Sequence, residues 1–87
     1  VELHASGPAH RHCMSAIRNT NYYEVALVGP KAANPLPKVY ACNYSDDIDC
    51  IDEDGCVRVP TGPGLGVDYD WKYIEDNTIE RCVFTLD

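Results

Sequence analysis

Long apolar runs are missing from this 87-residue chain. None approaches the roughly 18 residues that a membrane-spanning helix needs, and no leader pattern opens the chain, so neither a span nor a signal peptide is expected. Core-forming residues are scarce too: Val, Ile, Leu and Phe together number nineteen, about 22%. A core made of these alone is marginal, because burial and chain entropy nearly cancel at this length. One small domain is the most the chain can form. Positive charge is also in short supply, with seven Lys and Arg against fourteen Asp and Glu and a net charge of −7. With no basic patch, nucleic acid and anionic membranes are not expected as partners. No C-x-x-C occurs, and the cysteines Cys13, Cys42, Cys50, Cys56 and Cys82 are odd in number. That argues against both a closed disulfide framework and a zinc ribbon. Reduced thiols and a cytoplasmic location fit the pattern better. A small Cys-rich secreted binding domain, with one thiol left over, is the alternative. The first residue is Val rather than Met, so the chain is expected to have lost an upstream part or to be the tail of a longer polypeptide.

What is present begins with "VELHASGPAHRHCMSAIRNTNYYE". Val1–Leu3 reads as the end of a buried strand. Ser6 and Gly7 can cap a helix with Pro8 in its first position, where a missing N–H costs nothing. Ala9, Cys13, Ala16 and Ile17 recur at helical spacing and predict one apolar face, with His10, Arg11, Ser15 and Arg18 away from it. Asn19 is a candidate left-handed stop. Tyr22 and Tyr23 have strand chemistry and lead into Glu24. Strand, helix, strand over residues 1–28 predicts a βαβ unit with parallel strands. Such a unit has no sheet of its own to join, so it reads as cut from a larger α/β structure.

Residues 29–87 have a different composition. "GPKAANPLPK" reads as a connection, and Tyr40–Tyr44 as a short edge strand. "DIDCIDEDGCVRVP" predicts a hairpin around Asp54-Gly55, with Val57 and Val59 alternating with Cys56 and Arg58. "TGPGLGV" follows as a tight loop, and Asp70 caps a short helix from Trp71 to about Asp76.

Two side chains invite a chemical reading. If His4 and Glu24 both stand at the C-terminal ends of neighbouring parallel strands, about 4.8 Å apart, they reach one cavity. A His takes a proton near neutral pH. A Glu kept protonated in a partly desolvated pocket donates to a developing oxyanion. The bland alternative is a solvated His and a solvated Glu at two strand ends.

Together with "DEDGCVRVPTGPGLGVDYDWKYIE", this opening resembles the C-terminal portion of the enolase superfamily, in its mandelate racemase and acid-sugar dehydratase branch. Two features carry the likeness. One is the His and, twenty residues on, the Glu, here His4 and Glu24. The other is the D-G-x-[VI]-x-[VI]-P hairpin, here Asp54–Pro60, leading into Gly62–Val67. The resemblance implies an α/β fold: strand 7, helix 7 and strand 8 of a (β/α)₈ barrel in residues 1–28, plus a tail hairpin. Residues 29–87 would then pack on the parent's capping domain, with Tyr69, Trp71 and Tyr73 as interface anchors. It also implies α-proton abstraction from a hydroxy- or sugar-acid carboxylate, followed by dehydration or racemisation. His4 would be the base and Glu24 a neutral hydrogen-bond donor to the enediolate. A Mg²⁺ would be held by upstream carboxylates that this chain lacks, in a parent expected to be a homo-oligomer. The expected partners are thus the rest of the barrel, the capping domain and a small carboxylate substrate; the chain alone is expected to be inactive. A truncated, non-catalytic paralogue is the runner-up.

Three other motifs read as structural. An EF-hand loop with Gly55 as its sixth residue would need acids at positions 50 and 61, which are Cys50 and Thr61. His10 and His12 fall on different helix faces, so with Cys13 and His4 they do not make a zinc site. The dinucleotide fingerprint would need Gly where Val67 stands.

Overall fold

The computed structural model describes residues 1–25 and 39–86, and the expected connection over 29–38 lies outside them. Helix α1 spans Pro8–Ala16 and α2 spans Trp71–Asp76, with a single 3₁₀ turn at Ile48–Cys50 between them. Among the described residues, β structure is limited to two isolated antiparallel bridges, Tyr40–Tyr69 and Ile51–Val57.

The expected barrel fragment is therefore corrected. Neither residues 1–6 nor residues 20–25 form a strand, so no βαβ unit flanks α1. The physical reason is coverage: a parallel pair is stable where a sheet continues and both faces are packed. Here Val1 is exposed, and the two stretches are joined by end groups and side chains rather than a ladder. The Val1 ammonium donates to the Asn19 carbonyl at 2.6 Å, and Tyr22 N–H donates to the Glu2 carboxylate at 3.4 Å.

Helix α1 also turns a different face inward. Pro8, Arg11 and Met14 are its buried residues, while Ala9, Cys13 and Ala16 are exposed. Cys13 is thus not a core thiol. What decides the buried face is where a partner exists, and the partner is a polar one, described below. Gly7 caps the helix without a side-chain bond, at φ 138°, a conformation that L residues rarely adopt. At the other end Ile17 leaves in an extended conformation, so Asn19 is not a left-handed stop.

Beyond residue 39 the turns fall where local chemistry calls for them. Asp52 builds the hairpin turn: its carboxylate accepts from Asp54 N–H and Cys56 N–H, both at 2.9 Å, and Gly55 takes φ 76°. Val57 and Val59 are half-buried, with Cys56 and Arg58 exposed. Asp70 caps α2 through Tyr73 N–H at 3.0 Å. Tyr69 lies between Tyr40 and Trp71, with ring centroids 5.5 and 5.6 Å away. Trp71 itself stays 66% exposed. None of the described helices is long and apolar enough to cross a membrane.

Candidate functional site

Residues 1–5 run beside residues 19–25 and bring His4 to Glu24. Nδ1 of His4 lies 2.9 Å from Oε2 and 3.2 Å from Oε1 of that carboxylate. Ala5 N–H donates to the same Oε2. Ala5 reaches it with φ 76°, left-handed backbone that a non-glycine residue avoids and that costs about 1–3 kcal/mol. The strain sits one residue from His4, where it serves to aim an N–H at Glu24. Glu2, Leu3 and Tyr22 complete the wall of an open hollow of about 360 Å³. His4 is 94% exposed and Glu24 39% exposed at the side chain, so the pair meets solvent.

Tyr23, the neighbour of Glu24 in sequence, leads to the most buried ion pair among the described residues. The guanidinium of Arg11 meets Asp46 at 2.7 Å, with 5% and 7% of the two side chains exposed. Arg11 also donates to the carbonyls of Arg58 at 2.8 Å and Ser45 at 2.5 Å, and lies over the rings of Tyr44 and Tyr23. Tyr23 and Tyr44 donate their hydroxyls to the two Asp46 oxygens, at 2.5 and 2.8 Å. Gly7 N–H in turn donates to the Tyr23 oxygen at 2.8 Å. Tyr23, the neighbour of Glu24, is thereby tied both to the start of α1 and to the tail. Burial lowers the guanidinium pKa, but the bonds to Tyr23 and Asp46 outweigh it and the net shift is upward. Burial, then bonding to Tyr23 and Asp46, pushes the Tyr44 phenol up.

Sequence reasoning missed this cluster. The i, i+3, i+6 spacing of Pro8, Arg11 and Met14 was the available signal, but nothing in the residues marks Asp46 as the one acid of its run to be buried.

A larger hollow of about 520 Å³ is lined by Tyr44, Cys50, Asp52 and Arg58, among others, away from His4 and Glu24. Burial pushes the Cys50 thiol up, with Arg11 partly opposing. That is the wrong direction for a nucleophile. All five cysteines carry free thiols. Tested for Mg²⁺, the described residues do not fit: no three His, Cys, Asp or Glu side chains gather into a metal-holding group, and Glu24 is taken up by Ala5 N–H and His4.

No family model, curated protein or solved structure matches the chain.

Proposed function

We propose that this chain carries the proton-handling pair of a Mg²⁺-dependent enzyme acting on a hydroxy-acid or sugar-acid carboxylate, in line with its resemblance to the enolase superfamily. The observation that carries the reading is the 2.9 Å approach of His4 to Glu24 across twenty residues, at the wall of an open hollow. His4 takes the proton from the carbon next to the substrate carboxylate. The bonding pair moves into the carboxylate, giving an enediolate. In a dehydration the protonated His4 hands that proton to the hydroxyl on the next carbon, which leaves as water; in a racemisation a second acid on the opposite face, from a segment this chain lacks, supplies the returning proton. The Mg²⁺ would be held by carboxylates on upstream segments that this chain lacks, and no step here runs through it. The five free thiols favour the cytoplasm as the compartment.

The test is exchange of the α-hydrogen into D₂O by the protein isolated from its source, with Mg²⁺ and a panel of hydroxy and sugar acids, read by proton NMR. Exchange is expected in the wild type, with a loss of roughly 10²-fold or more in His4→Asn, the usual scale for removing a general base. Exchange that survives His4→Asn would remove His4 from the chemistry.

A further inference from the structure

The resemblance casts Glu24 as a neutral acid that donates a hydrogen bond, and the geometry around it favours the opposite role. Both of its oxygens face nitrogens. Nδ1 of His4 lies 2.9 and 3.2 Å from them, and Ala5 N–H points at one. An ionised carboxylate can only accept, so with Glu24 ionised the Nδ1 that approaches both of its oxygens is the protonated ring nitrogen. A neutral imidazole with Nδ1–H so engaged must carry its lone pair on Nε2. Among the described residues Nε2 has no hydrogen-bond partner, and the ring lines the hollow.

We infer that Glu24 is the positioning residue of His4: its carboxylate fixes the Nδ1–H tautomer, so that Nε2 faces the hollow as the proton acceptor. The catalytic meaning of this rests on His4 being the base. When Nε2 takes a proton, the imidazolium keeps its Nδ1–H bond to Glu24 and the charge forms beside a carboxylate. Ala5 takes part by holding that carboxylate in place, which accounts for its left-handed backbone. Glu2 is the other acid at the wall, but its carboxylate accepts from Tyr22 N–H.

The experiment is a long-range proton–nitrogen correlation spectrum of the ¹⁵N-histidine-labelled 87-residue chain, at about pH 8, above the ordinary imidazole range. His12 supplies an internal reference of the opposite kind, since its Nε2 lies 2.9 Å from the Leu65 carbonyl and must carry the proton. The His4 signals, assigned by their loss in His4→Asn, are expected to show Nδ1–H as the major form. Glu24→Ala should return the ring to mostly Nε2–H, and Glu24→Gln, whose amide oxygen still accepts, should keep Nδ1–H. An Nε2–H ring in the wild type overturns the inference, whatever the variants do. So does a ratio that Glu24→Ala leaves unchanged while the signals of His12 stay in place. Because the spectrum needs no substrate, a chain with the expected tautomer but no α-hydrogen exchange would remove the proposed reaction and leave the positioning role standing.

Discussion

Arg11 and Asp46 show how one ion pair can do what an apolar core usually does. Buried charges are favourable only when their remaining hydrogen-bonding positions are filled. Asp46 has two tyrosine hydroxyls and a guanidinium, and Arg11 has two carbonyls and two aromatic faces. Among the described residues, Arg11 Nε is the one buried side-chain polar atom left without a partner. Arg11→Met should therefore destabilise by about 3–5 kcal/mol, the usual scale when one member of a buried pair is lost. Asp46→Asn should cost less, since its side-chain oxygen still accepts from a tyrosine. Urea midpoints of the two variants decide it, and an Arg11→Met midpoint at the wild-type value would show the pair to be incidental.

At the scale of elements, what could be read in the sequence was what depends on neighbours a few residues away. Pro8 at a helix start, Asp70 as a cap and the Asp-Gly turn act within four residues, and the structure has them there. Strands 7 and 8 depended on a sheet that the letters do not supply, and the inward face of α1 depended on Asp46, thirty-five residues away. Parallel strand ends would bring His4 and Glu24 together, yet the structure joins them without strands.

The loop before α2 gives the element-scale prediction. Gly66 has φ 74°, and a Cβ there would come within 2.7 Å of Pro60 Cβ and 2.9 Å of Gly62 N. Gly55 has a similar φ of 76°, but a Cβ there meets nothing within 4 Å. Gly55→Ala should then cost only the conformational penalty, about 1–2 kcal/mol. Gly66→Ala should add about 1–3 kcal/mol of overlap and disturb the His12–Leu65 contact that seats α1 on this loop. Equal urea midpoints for the two variants would mean that the loop yields freely and Gly66 is not required there.

Among the described residues the buried contacts are mostly polar, and many of the large apolar side chains stay exposed. The buried apolar side chains among the described residues are Met14 and Pro8. Ile79, Val83, Phe84 and Leu86 are between 73% and 104% exposed, on a final stretch without helix or strand. Hydrophobic burial is what normally gives unfolding its large heat-capacity change and its steep denaturant dependence. An ordinary globule of this length would show a heat-capacity change of about 1 kcal/mol/K. With so little apolar surface withdrawn from water, this chain should show less than about half of that, a correspondingly shallow urea slope, and binding of the dye ANS before unfolding. Calorimetry, urea titration and dye fluorescence on the 87-residue chain check the three together. A full-sized heat-capacity change with no dye binding would mean that the exposed side chains of residues 79–86 are covered in solution, and that the Arg11–Asp46 cluster shares its role with an apolar core.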